Sequence, residues 1–222
     1  MIIWLASYPK SGNTYVRAFL SAYYFSENGH FDFSQIKNID QFPHEKFFKQ
    51  KVNNMKEASK QWMPIQRKIN QDKKIKFFKT HSFLGNYEGN IFTSPETTLG
   101  AVYIIRDPRN VLTSLKNHFS LEDDKALKMI TDKKKWLMSN NGSFSSYTYI
   151  SSWSNNYLSW LRNNQFRRLF IKYEDLITNK YETFRDIIVF TNTLMNRVEG
   201  VDKSKLQKAI EPTNFNILKK KE

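Results

Sequence analysis

The chain has 222 residues, enough to bury one sizeable core but too few for two complete domains, so residues 1–222 are read as a single domain; 40% hydrophobic and 15% aromatic content excludes a disordered segment. No apolar run reaches the ~20 residues that cross a bilayer, and no cysteine is present, which excludes a disulfide framework and a thiolate metal site or nucleophile and leaves a soluble cytoplasmic protein as the expectation. The formal charge of +14 comes from 35 basic against 21 acidic side chains, but Lys and Asn are plentiful throughout, so the excess alone identifies no nucleic-acid partner and none is expected.

In chain order, Ile2–Ser7 reads as an interior strand, because its apolar run is continuous. A polar turn, Lys10-Ser11-Gly12, follows and leads into a helix over Asn13–Ser26, where Val16, Phe19, Leu20, Tyr23 and Tyr24 recur at helical spacing. A helix N-terminus offers unpaired N–H groups and partial positive charge, Gly12 permits close approach of an anion, and Lys10 adds a full charge. This layout suits a phosphate. It is not a Walker A loop, since lysine precedes the loop's only glycine.

Further strands are expected at Ile75–Thr80, Ala101–Arg106 and Arg168–Tyr173, and further helices at Pro108–Phe119, Ile150–Asn163, Tyr181–Thr193 and Lys203–Glu211. Asp107-Pro108 marks a helix start, with an N-cap acid before proline at the first helical position. Strands alternating with helices imply an α/β fold: a P-loop-like, three-layer arrangement with a central, mainly parallel sheet. The stretches Asn28–Gln71 and Leu121–Thr148 lack clean strand periodicity and are expected to form lids or acceptor-side caps. Phe42, Phe47, Phe48, Trp62 and Trp136 within them are read as packing rather than ligand contacts.

The run Tyr8-Pro9-Lys10-Ser11-Gly12-Asn13-Thr14-Tyr15 resembles the 5′-phosphosulfate loop of sulfotransferases that use 3′-phosphoadenosine-5′-phosphosulfate. Asn13 and Tyr15 stand where that family usually has Thr and Trp; Asn keeps a donor and Tyr a ring able to stack on a purine. The segment Tyr103 to Ser114 resembles the family's 3′-phosphate segment, and the resemblance assigns Arg106 and Ser114 to that phosphate. Lys79-Thr80-His81 resembles the segment that delivers the catalytic base, whereas His30, His44 and His118 have no comparable strand-end setting. Tyr173-Glu174-Asp175 resembles the strand end whose tyrosine approaches the adenine; Glu174 and Asp175 are read as structural. By the same resemblance Lys10 stabilises the leaving oxygen, and Lys79 and Thr14 contact the sulfuryl oxygens.

The implied reaction is metal-independent transfer of a sulfuryl group to a hydroxyl of a small molecule or glycan, leaving 3′,5′-adenosine bisphosphate. No carboxylate or histidine cluster has metal-ligand spacing, and oligomeric state is open. The family's usual C-terminal Arg-Lys-Gly element is not found, the last glycine being Gly200. The expectation is that the chain is shortened and lacks this closing segment, that Lys219–Lys221 substitute for it, or that donor binds more weakly. Two other readings stay open: a P-loop nucleoside or small-molecule kinase, disfavoured by the lysine–glycine order, and a non-catalytic nucleotide or polyanion binder, which would not require His81.

Overall fold

In the computed structural model, which describes residues 1–48, 51–140 and 145–211, the unbroken apolar run of β1 (Ile2–Ser7) is explained by its two covered faces. Ile2, Trp4 and Ala6 point into one hydrophobic cluster, Ile3 and Leu5 into another, and all five are fully buried. A strand alternates side chains, so only a sheet covered on both faces needs both sets apolar.

Helix α1 (Asn13–Phe25) packs its stripe of Val16, Phe19, Leu20 and Tyr23 on the Ile3/Leu5 face. The chain then makes β2 (Asp40–Gln41), α2 (Met55–Ile69), β3 (Lys76–Thr80), the small hairpin β4 (Asn86–Tyr87) and β5 (Asn90–Ile91), and β6 (Thr98–Ile105). After these come α3 (Pro108–Phe119), α4 (Asp123–Thr131), the hairpin β7 (Trp136–Asn140) and β8 (Ser145–Tyr149), α5 (Trp153–Arg162), β9 (Arg167–Lys172), α6 (Asp175–Thr178), α7 (Lys180–Leu194) and α8 (Lys203–Ile210).

Five strands form one sheet in the order β2-β3-β1-β6-β9, with every pairing parallel. Helices α1, α7 and α8 cover one face and α2 and α5 the other, which gives the three-layer α/β architecture. Beyond the sheet edge, α3 and α4 close a third cluster around Tyr8, Val111, Leu115, Met129 and Ile150. No helix among the described residues is long and apolar enough to cross a membrane.

Two expectations are corrected. The helix read from Ile150 begins at Trp153, because Ser151 has a φ of 57° and Ser152 caps the helix by accepting from the Asn155 N–H, while Ile150 stays in the third cluster. The stretches Asn28–Gln71 and Leu121–Thr148 are not only lids or caps, since the first holds α2 and β2, an edge strand of the central sheet, and the second holds α4 and most of the β7–β8 hairpin. Met55, Ala58, Trp62 and Ile65 form the buried stripe of α2, and Asn54 caps it by accepting from the Glu57 N–H at 2.9 Å. The stripe and cap were both legible; Pro64 inside the helix obscured them. Phe42, Phe48 and Trp62 are core residues, whereas Trp136 is exposed on β7.

Candidate active site

All strands of the sheet run the same way, so the residues that leave their carboxyl ends share one edge. Ser7 lies beside Ile104, Ala6 beside Thr80, and Ile105 beside Lys172. The next residues along are the Lys10 loop, His81, Arg106 and Tyr173. A doubly covered parallel sheet binds ligands at this edge.

The loop after β1 alternates its backbone hand. Lys10 has a φ of 65° and Gly12 a φ of 89°, while Ser11 between them is not left-handed. Such alternation turns successive N–H groups toward one point and forms an anion-binding concavity. Gly12 then caps α1, whose first N–H groups at Asn13 and Thr14 have no acceptor within the helix. A Cβ at Gly12 would stand 2.4 Å from Cδ2 of Tyr173, so only glycine lets this ring pack on the loop.

Arg106 ties two of the strand ends together. One terminal nitrogen donates to the Lys10 carbonyl at 2.8 Å, and the guanidinium lies 4.2 Å from the centre of the Tyr173 ring. Its Nε is buried and has no hydrogen-bond partner among the described residues, as is also true of Ser11 Oγ. Buried donors normally find an acceptor. A bound phosphate group would supply one, and the glycine-backed concavity is shaped to receive it. The residues present therefore fit a phosphorylated nucleotide.

His81 stands at the end of β3. Its Nδ1 lies 2.8 Å from the Ser7 carbonyl, so that nitrogen carries the proton and Nε2 keeps its lone pair. Burial, reinforced by the charges of Lys79 and Lys10 and opposed by the Ser7 carbonyl, holds the imidazole down to about 3. It is neutral at physiological pH.

The other expected residues are placed differently. Asn13 directs its amide inward, donating to the Leu5 carbonyl at 2.9 Å and to Ser7 Oγ at 3.2 Å, so its side chain braces the loop. Tyr15 is 2% exposed and set edge-on against Phe184 at 5.2 Å. One helical turn before Phe19, it lies on the inward face, and burial raises its hydroxyl to about 12. Tyr173 is 8% exposed with one face under Arg106, which leaves little of its ring for an adenine.

Thr14 and Ser114 are half-buried on α1 and α3, and neither hydroxyl has a hydrogen-bond partner among the described residues. Asp107 caps α3 and pairs with Arg109, while Glu174 accepts from the Asp107 N–H at 3.2 Å. Lys219–Lys221 lie outside the described residues.

Sequence reasoning missed Ser7 and Asn156. Asn156, fully buried on α5, donates to the His81 carbonyl at 3.0 Å and the Ile150 carbonyl at 2.8 Å, and accepts from the Tyr103 hydroxyl at 2.8 Å. An asparagine on an otherwise apolar helix face was the only available signal. Among the described residues, no group of three or more His, Asp or Glu is placed to hold a metal ion.

The sequence matches the sulfotransferase domain family over residues 2–222. No curated protein matches it. Among solved structures, the mouse sulfotransferase SULT7A1 complexed with PAP is 18% identical with a TM-score of 0.59, the match covering 98% of this chain and 66% of that one. Retinol dehydratase in complex with androsterone and inactive cofactor PAP is 16% identical with a TM-score of 0.60, over 98% and 65% of the two chains. The present chain thus spans just under two thirds of the length of the structures it resembles, and the likeness is one of fold.

Proposed function

The chain belongs to the sulfotransferase domain family, and from that premise we propose that it transfers a sulfuryl group from 3′-phosphoadenosine-5′-phosphosulfate to a hydroxyl of a small molecule or glycan. The observation that carries this reading is that a left-handed anion loop, a neutral histidine whose Nδ1 proton is held by the Ser7 carbonyl, and an arginine with an unpaired buried donor lie on one sheet edge. The mouse enzyme and retinol dehydratase, whose fold this chain shares, are both described with PAP bound.

The donor supplies a sulfuryl group already activated on a phosphate leaving group. The loop from Lys10 to Thr14 holds the 5′-phosphate through backbone N–H groups, and Arg106 and Ser114 hold the 3′-phosphate. His81 Nε2 takes the proton that the acceptor hydroxyl loses as its oxygen bonds to sulfur. The Lys10 ammonium offsets charge gathering on the oxygen that departs with phosphate, and Lys79 and Thr14 orient the sulfuryl oxygens. Positioning and fixed charge supply the rate.

Incubation with 35S-labelled donor and a panel of phenols, glycans and lipid alcohols tests the proposal, with ATP and Mg²⁺ as the competing donor. Label transfer that disappears in His81→Ala supports it. Phosphate transfer from ATP, or calorimetry with no heat on adding 3′,5′-adenosine bisphosphate, overturns it.

A further inference from the structure

Ser7 breaks the apolar run of β1 at a position on the Ile3/Leu5 face, although it is only 1% exposed. A residue there for packing alone would be apolar. Its polar atoms instead face the imidazole. His81 Nδ1 is 2.8 Å from the Ser7 carbonyl and 3.2 Å from Ser7 Oγ.

A carbonyl has no proton to give, so Nδ1–H is the donor and both Ser7 oxygens are acceptors. The hydroxyl is itself held: Asn13 Nδ2, anchored on the Leu5 carbonyl, donates to it at 3.2 Å. Asn13 is 3% exposed, which keeps water from competing for either group. Asn156 Nδ2 in turn donates to the His81 carbonyl at 3.0 Å. The ring is therefore held by a strand it does not belong to, through the residue that leads into the anion loop.

We propose that Ser7 is a positioning residue for proton transfer: its carbonyl selects the tautomer that leaves Nε2 free, and its hydroxyl, held by Asn13, steadies the imidazolium formed when Nε2 takes the acceptor's proton. No other group is added, since the proton moves from the acceptor oxygen to Nε2 while Nδ1–H stays hydrogen-bonded. A hydrogen bond strengthens when its donor becomes charged, so this contact favours the transition state over the resting enzyme. The inference rests on His81 being the base.

The test uses the full chain as wild type, Ser7→Ala, Ser7→Cys, Ser7→Thr and His81→Ala. The cysteine is nearly isosteric but accepts weakly, so it reads the hydroxyl even if alanine disturbs packing. Long-range 1H–15N spectra of histidine-labelled protein saturated with 3′,5′-adenosine bisphosphate report the tautomer and titration of His81, identified by its absence in His81→Ala. Removing the hydroxyl is expected to speed exchange of the Nδ1 proton and lower the imidazole pKa. It should also cut kcat for labelled transfer on the order of 10-fold with donor Kd unchanged, and Ser7→Thr should restore all three.

Ser7→Ala and Ser7→Cys with wild-type imidazole spectra and kcat would overturn the proposal while His81→Ala still abolishes transfer. Wild-type turnover in His81→Ala would instead overturn the base assignment, and this inference with it. Where no panel acceptor reacts, the spectra alone decide.

Discussion

Lys10 shows how a single residue can be paid for in backbone strain. A lysine with a φ of 65° sits in the left-handed region, which costs a side chain with a Cβ about 1–2 kcal/mol. Glycine would relieve that cost. Lys10→Gly is therefore expected to keep or slightly raise the urea midpoint while lowering transfer by at least 100-fold, whereas a large loss of stability would mean the side chain is structural. His81 gives a second residue-level expectation. Its imidazole is held to about 3 by burial and by Lys79 and Lys10, against about 6.5 in an unfolded chain. The folded state thus refuses a proton that the unfolded chain accepts, so this group's stabilising effect is full above pH ~6.5 and is lost as pH falls toward 3. His81→Asn should flatten that part of the stability–pH curve. Phosphates placed beside Lys10 and Lys79 offset their charges, so NMR titration should show the His81 pKa rising on adding 3′,5′-adenosine bisphosphate.

At the scale of elements, the joint between the β1–α1 loop and the end of β9 depends on one missing methyl group. Gly12 combines a φ of 89° with a Tyr173 ring where its Cβ would be. Gly12→Ala must either push the ring out from under Arg106 or distort the loop. It is expected to cost about 1–3 kcal/mol and to weaken binding of 3′,5′-adenosine bisphosphate at least 10-fold by calorimetry; unchanged affinity would show that the loop does not bind the nucleotide. The helix elements teach a related lesson. α1 was legible from its stripe and α3 from its Asp107-Pro108 cap, but Tyr15, though one turn from Phe19, was read as a ring able to stack on a purine, and only the structure shows Phe184 packed on it. That contact joins residues far apart in the chain, and no local pattern contains it.

For the molecule as a whole, stability and function reside in different places. Phe92 is fully buried and its ring lies 5.2 Å from Trp4, 5.5 Å from Trp62 and 6.0 Å from Phe42, on the face covered by α2 and α5. Phe92→Ala is expected to lower unfolding free energy by about 3–5 kcal/mol, read from urea denaturation, while leaving donor affinity of the folded protein within about 2-fold. The site instead depends on charge. On the proposed function, cationic residues from separate strand ends hold one anion, so donor affinity should fall steadily as ionic strength rises from about 0.05 to about 0.5 M. A flat response would mean that the sheet-edge charges do not act on the ligand.

The amino-acid sequence determined the period of each main strand and helix, the glycine at the loop and the types of group available for chemistry, because these follow from local sterics and from side-chain spacing along the chain. The hidden stripe of α2 was equally local. Only the tertiary structure decided that parallel pairing of β3, β1, β6 and β9 brings Lys10, His81, Arg106 and Tyr173 to a single edge. It also decided that Asn13 and Tyr15 face inward and that Ser7 and Asn156 hold the histidine. Apart from Asn13, whose partners Leu5 and Ser7 are near in the chain, those outcomes depend on strand order and on contacts between residues some 70 or more positions apart, which side-chain spacing along the chain does not encode.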